Sequence, residues 1–293
     1  EPGVLKGDIL INMDSETEGE LYVGCAGGID TCGYFTPKFE DVPAGSKAFQ
    51  LIVKGLKGGH SGMDIILGRA NANKVMNALL LKATEKFNAR VADIQGGSLR
   101  NAIPRESFVT ITVPEAKAEE LLAYVPEFEA VVKEQFAAVE PEMSITVVPA
   151  EMPAKVIDKE TIAKLIEAVA KYPNGVIAMS KDFEGTVETS SNLAIVKLVD
   201  GQIMTASLQR SLVDASKDEL AAEMRKVLES CGARAESTGS YPGWKPNINS
   251  IIYNTMKKVY ADKYGKTPKT MVIHAGLECG ILGSKYPNWD MVS

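Results

Sequence analysis

The sequence is poor in the residues that would commit it to several common protein classes. Its four cysteines, Cys25, Cys32, Cys231 and Cys279, lie far apart and form no Cys-x-x-Cys pair. They suggest neither a disulfide scaffold nor a thiolate zinc site, and reduced thiols in a cytoplasmic protein account for them. Excess basic charge is lacking too, with 32 Lys and Arg against 38 Asp and Glu and a net charge of −6. That balance argues against a nucleic-acid or anionic-membrane partner, since both reward a basic face. No apolar run approaches the ~20 residues of a membrane-spanning helix. Histidine occurs only at His60 and His274. The chain opens on Glu1-Pro-Gly without methionine or signal peptide, and ends at Trp289-Asp-Met-Val-Ser293, which reads as a strand just beginning; it is therefore expected to be part of a longer protein.

What is present is ordinary globular material: 293 residues, 45% hydrophobic and 24% charged, enough for one large or two medium domains. The stretch that organises the rest is Asp8-Ile-Leu-Ile-Asn-Met-Asp14, an apolar strand running without a break into the acids up to Glu20. Carboxylates at the end of a buried strand are costly unless something there wants negative charge. Parallel sheets bind ligands just beyond the carboxyl ends of their strands, so Asp14 sits where a metal or a cationic group is expected. A merely solvated acidic loop is the competing reading.

A second strand is expected near Leu21 to Cys25, a glycine turn at Gly27-Gly28, and a domain boundary at Pro43-Ala-Gly45. Ala48 to Lys54 alternates like a half-exposed strand, and Asn71 to Phe87 carries the helical stripe Val75, Leu79, Ala83. Strands near 89 to 94 and 107 to 113 follow, then a helix bearing Leu121, Val125, Phe128, Val132, Phe136 and Val139, and a strand at 144 to 148. Strand, helix, two strands, helix, strand is the split βαβ arrangement. A second set begins with a helix capped by Asp158, continues with long strands joined by the hairpin signal Asp200-Gly201, and adds a helix opened by the capping box Ser216-Lys-Asp-Glu219. From Tyr241 onward a helix and the buried strand Thr270 to His274 restore α/β character. The expected fold is α/β: a discontinuous sheet domain (1 to 43 and 241 to 293) interrupted by an α+β domain (44 to 240) of two split-βαβ-like halves.

Three groups in the inserted domain carry possible chemistry. Gly55-Leu-Lys-Gly-Gly-His60-Ser-Gly62 sets a lone imidazole in a glycine-rich turn, where the backbone can approach a ligand closely; an idle turn histidine is the alternative. Asn101, in Arg100-Asn101-Ala-Ile-Pro-Arg105, is either a ligand-facing amide or a turn initiator. Arg210 lies mid-strand between Leu208 and Leu212, where a guanidinium needs an anion: a ligand, or an internal partner such as Glu188 or Asp214. In the sheet domain His274 ends a strand as Asp14 does. Residues alone would join Asp14, His274, Glu278 and His60 into a zinc site, since histidine with carboxylate is the usual catalytic set.

These stretches occur together and in order: Asn12 to Glu20, Gly55 to Gly62, Arg100 to Arg105, Val187-Glu-Thr-Ser190, Tyr241-Pro-Gly-Trp244 and His274-Ala-Gly-Leu-Glu-Cys-Gly280. The set closely resembles the cytosolic aminoacyl-histidine dipeptidases, or cytosol non-specific dipeptidases, of the dinuclear zinc peptidase clan that includes carnosinases. The resemblance covers essentially the whole chain. It implies a zinc-bearing catalytic domain interrupted by a lid, a homodimer paired through the lids, two zinc ions per subunit in the parent enzyme, a cytoplasmic location, and hydrolysis of Xaa-His and other dipeptides by metal-activated water. It further implies that Asp14 binds zinc, that His60 polarises the scissile carbonyl or holds the substrate, that Asn101 and Arg210 hold substrate carbonyl or carboxylate groups, and that Gly276 lies in a turn beside the substrate. The family's general-base glutamate and its other early ligands precede Glu1, and its remaining zinc histidine follows Ser293. His274 is accordingly not assigned as a ligand, and the chain alone is expected to be inactive. A non-catalytic dimerisation or peptide-binding module, or a related peptidase or acyl-amino-acid hydrolase, is the competing function, and nothing in the residues independently selects histidine in the substrate.

Overall fold

A computed structural model describes residues 3–15 and 17–293. Glu1, Pro2 and Glu16, the last within the acidic stretch after the first strand, lie outside the described residues. Two short strands come first, β1 (Ile9–Ile11) and β2 (Glu20–Cys25), and after Ala26 the chain runs directly into β3 (Gly27–Phe35). Gly27 and Gly28 therefore lie inside a strand instead of forming the expected turn. Gly28 pairs with Arg210, and a Cβ there would collide with the Tyr241 ring, so glycine serves close strand approach.

After β4 (Phe39–Asp41) comes the first compact unit: β5 (Ser46–Lys54), the two-residue β6 (Gly59–His60), α1 (Ala72–Phe87), β7 (Arg90–Gly96), the two-residue β8 (Ala102–Ile103), β9 (Ser107–Pro114), α2 (Glu115–Phe136) and β10 (Ser144–Pro149). Asn71 caps α1 by accepting from the amides of Asn73 and Lys74, and the helix buries Val75, Leu79 and Ala83 as its stripe predicts. The four long strands are antiparallel in the order β10-β5-β9-β7, the split βαβ topology.

The second unit holds β11 (Lys155–Ile157), which pairs with β4, then α3 (Lys159–Lys171), β12 (Gly175–Met179), β13 (Val187–Val199), β14 (Gln202–Ser211), α4 (Asp214–Ser230) and β15 (Arg234–Tyr241). Asp158 caps α3 through the Thr161 amide. The β13–β14 hairpin turns on Asp200 (φ 49°) and Gly201 (φ 76°), both left-handed as a two-residue hairpin requires. The expected capping box does not start α4, which begins earlier, at Asp214, with Val213 in the cap position. Strand order here is β13-β14-β3-β15. This is the same topology as in the first unit, with β3 supplying the opening strand, so the whole first unit is nested between β3 and α3. The pairs Val196↔Gly96 and Lys197↔Gln95 join the units into one nine-stranded sheet. All four helices share one core with it, including Leu51, Leu79, Ile111, Leu121, Leu165, Leu193 and Met224.

The rest forms a smaller parallel unit with α5 (Ile251–Tyr264), β16 (Lys269–Ile273), α6 (Glu278–Lys285) and β17 (Asp290–Val292). β1 lies parallel to β17 and β2 parallel to β16, while Tyr22 and Ser293 exchange backbone bonds of 2.7 and 3.0 Å that link the two pairs. β1 was expected to be buried and is not: Ile9 is 55% and Ile11 45% exposed. It is the edge strand, and α5 and α6 pack chiefly on β2 and β17.

Candidate functional site

The glycine-rich segment after β5 holds His60 in a tightly specified turn. Gly59 adopts φ 131°, a region essentially closed to side-chain-bearing residues. β6 pairs with β8, setting His60 opposite Ala102, and the Ser61 amide donates to the Asn101 carbonyl at 2.8 Å. Asp64 closes the turn, its Oδ2 accepting from the His60 amide at 2.8 Å. The amides of Gly62 and Met63 both donate to His60 Nδ1 at 3.1 Å. An imidazole nitrogen that accepts two N–H groups carries no proton, so the ring proton resides on Nε2, which is thereby a donor. Burial, and then the charge of Arg210, push the His60 pKa below its ordinary value against the opposing pull of Asp64. His60 is thus a neutral, oriented hydrogen-bond donor.

Arg210 lies on β14 and is 3% exposed. The internal partners considered for it do not materialise: Asp214 pairs with Lys217 and accepts from the Gly243 amide, and Glu188 meets the hydroxyl of its neighbour Thr189. Instead Nε and Nη2 donate to Ser61 Oγ at 3.3 and 3.4 Å, and Nη1 to the Tyr241 hydroxyl at 2.8 Å. Among the described residues no carboxylate lies within ion-pair distance of this guanidinium. Burial pushes its pKa down while Tyr241 and Asp30 pull the other way. Asp30 is itself taken by an ion pair with Arg100, next to Asn101. A desolvated guanidinium whose partners among the described residues are hydroxyls is able to pair with an anion.

Around this pair stand two residues from the smaller unit. His274, just past β16, is 6% exposed and bonds through Nε2 to Ser190 Oγ at 2.7 Å. Burial, followed by Arg210, lowers its pKa to about 3. Gly276 is exposed, and a Cβ on it would lie 3.0 Å from the Tyr241 ring. His60, Arg210, His274 and Gly276 therefore converge through Ser61, Ser190 and Tyr241. Asn101 borders the group: its carbonyl is used, but its exposed side-chain amide has no hydrogen-bond partner among the described residues.

Asp14 stands apart. It is exposed in the loop after β1, and among the described residues it makes no ion pair or side-chain hydrogen bond. Its neighbours knit the strand ends together instead, Asn12 donating to Glu278 Oε2 (3.4 Å) and Ser293 Oγ (3.2 Å), and Ser15 meeting Ser293 Oγ at 2.6 Å. Among the described residues no group of three or more His, Cys, Asp and Glu side chains is placed to hold a metal ion. The donors present do not build a zinc centre, and the set Asp14, His274, Glu278 and His60 does not assemble: His274 faces Ser190 and Glu278 faces Asn12.

Ser61, Ser190 and Tyr241 are the site residues that sequence reasoning passed over. Each sits inside a motif that had been singled out, yet a hydroxyl's role as the holder of a buried cation shows only in three dimensions.

Residues 51–140 match the peptidase dimerisation domain family. The chain is 42% identical to the cytosol non-specific dipeptidase of Escherichia coli (strain K12) over 292 residues, which is 99% of this chain and 60% of that protein. It is also similar to the crystal structure of the aminoacylhistidine dipeptidase from Vibrio alginolyticus, with a TM-score of 0.92 and 42% identity over 100% of this chain and 60% of that one. The chain thus spans about 60% of the length of both relatives.

Proposed function

We propose that these 293 residues form the lid and part of the catalytic sheet of a zinc-dependent, cytoplasmic, homodimeric dipeptidase that cleaves Xaa-His and other dipeptides. The similarity to two dipeptidases across the whole chain supports the reading, as does the dimerisation-domain match within the lid. We take the lid as residues 27–241, because β3 belongs to its sheet, and residues 1–26 and 242–293 as the catalytic part. The observation that carries the proposal is Arg210: a buried guanidinium with hydroxyl partners and, among the described residues, no carboxylate partner suits the C-terminal carboxylate of a short peptide. His60 presents Nε2–H to the scissile carbonyl oxygen, where a donor counts most as negative charge develops. Asn101 offers its free amide to a substrate carbonyl, and Gly276 leaves room beside the Tyr241 ring. Asp14 would contribute one carboxylate to the zinc site, which needs further ligands besides it.

The test is Arg210→Met in the complete enzyme, assayed on a dipeptide and on the same dipeptide as its C-terminal amide. Losing one partner of a buried charged pair costs about 2–4 kcal/mol, or roughly 30- to 1000-fold in kcat/KM for the free acid. The amide, which offers Arg210 no carboxylate, should be cleaved more slowly than the free acid by the original enzyme and at nearly the same rate by both proteins. Equal losses on the two substrates would remove Arg210 from carboxylate recognition.

A further inference from the structure

His274 has no part in the reading above, yet it is the point at which the smaller unit touches both substrate-holding elements of the lid. Its carbonyl oxygen lies so close to Gly62 that a Cβ there would collide with it, although Gly62 is not in a left-handed conformation. Glycine at 62 is thus required by contact with His274. Gly62 is also one of the two residues whose amides fix His60 Nδ1. On the ring side, Nε2 meets Ser190 Oγ at 2.7 Å, and Ser190 is the cross-strand partner of Arg210. Two residues further on, Gly276 abuts Tyr241, the residue that accepts from Arg210 Nη1. The turn after β16 thus supports the His60 turn, the Arg210 strand position and the Tyr241 hydroxyl together.

The His274 ring meets a serine hydroxyl and lies in the field of an uncompensated guanidinium, while its backbone carbonyl lies against Gly62. An aliphatic side chain would strand the buried Ser190 hydroxyl, and lysine or arginine would set a second cation beside Arg210. Neutral imidazole satisfies both constraints.

We infer that His274 is a positioning residue: its ring, bonded to Ser190 Oγ on the Arg210-bearing sheet, anchors the end of β16, and the backbone carbonyl so anchored packs against Gly62 of the His60 turn. The inference rests on the reading of His60 and Arg210 as substrate groups, but its first test needs no substrate, so the two can fail separately. Hydrogen exchange of the Gly62 and Met63 amides in the intact 293-residue chain reports how firmly His60 is held. His274→Ala should speed exchange of both about tenfold or more, and Ser190→Ala should do so more weakly. The core amides of Val109 and Ile111 should keep their rates. His274→Gln, whose side-chain amide reaches about as far as Nε2, should restore protection. In the complete enzyme the same order, Ala worst and Gln near the original, should appear in kcat. Unchanged exchange at Gly62 and Met63 in His274→Ala would overturn the inference, as would His274→Gln behaving like alanine. Protected amides in every variant, combined with lost activity in the complete enzyme, would also overturn it, and would leave the reading of His60 and Arg210 untouched.

Discussion

The lid and the smaller sheet unit are built to different degrees of completeness. In the lid, two copies of one topology share a sheet and a single large core, and the site groups are already oriented: His60 by two amides, Arg210 by Ser61 and Tyr241. In the smaller unit the hydrophobic clusters are small, β1 shows its isoleucines to solvent, and Asp14 has no ion-pair or side-chain hydrogen-bond partner among the described residues. The end of β16 differs from the rest of the smaller unit, because the lid completes it through Ser190.

The sharpest break of this contrast would be metal binding by the chain itself. A catalytic zinc takes at least three protein ligands, and one exposed carboxylate holds a divalent ion too weakly to survive dilution. The chain is expected to lose zinc on dialysis and to leave β-alanyl-histidine intact in a ninhydrin assay. Tight zinc binding in isothermal titration that disappears in His274→Ala would restore the local Asp14 and His274 site. Nearly as large is the expected effect of where the lid is cut. An excised 27–241 should unfold in one cooperative step and dimerise, whereas 45–239 lacks β3, the strand between β14 and β15, and should show no cooperative transition by circular dichroism. A cooperative 45–239 would return the boundary to the proline-glycine stretch near residue 43.

That boundary shows how far the residues could be read in order. Stripes such as Val75, Leu79 and Ala83, the Asp158 cap and the Asp200-Gly201 hairpin were legible because their causes lie within a few residues of one another. β3 was not, because Gly27-Gly28 has the composition of a turn and its reason is the Tyr241 ring, more than two hundred positions away. The same holds for the site. His60 and Arg210 stood out as polar residues in odd places, but whether Arg210 had an internal partner depended on where Glu188 and Asp214 would point. Ser190 lies in the Val187 to Ser190 stretch, but nothing in that stretch pointed to its hydroxyl as the partner of His274.

Substitution of His60 tests the lid half of the comparison at a smaller scale. In the complete enzyme, His60→Ala should lower kcat about 10²-fold, the order seen when one oxyanion donor is removed, with zinc content unchanged. Its depressed pKa means the ring is already neutral at pH 7, so kcat should show no titration of this residue above its ordinary range near 6.5. Zinc loss in the variant, measured by atomic absorption, would move His60 from the substrate to the metal.

The smallest effect expected is a slope. His274 titrates at about 3 in the folded chain, against roughly 6.5 when unfolded. Above pH 6.5 both states hold the ring neutral, and its contribution to stability is complete. As pH falls below 6.5 the unfolded chain takes up a proton that the fold refuses until near pH 3, because burial and Arg210 both oppose a second cation there. Stability should therefore decline through that window by up to about 1.4 kcal/mol per pH unit from this residue alone. Carboxylates titrate over the acid end of the same range, so the measurement is a difference: urea unfolding of the chain and of His274→Gln at pH 7, 6 and 5. Glutamine cannot take up the proton, and its curve should fall less steeply. Parallel curves would mean that the lid tolerates a charged His274, and the seat between Ser190 and Gly62 would then be looser than the contacts at Nε2 and the carbonyl oxygen imply.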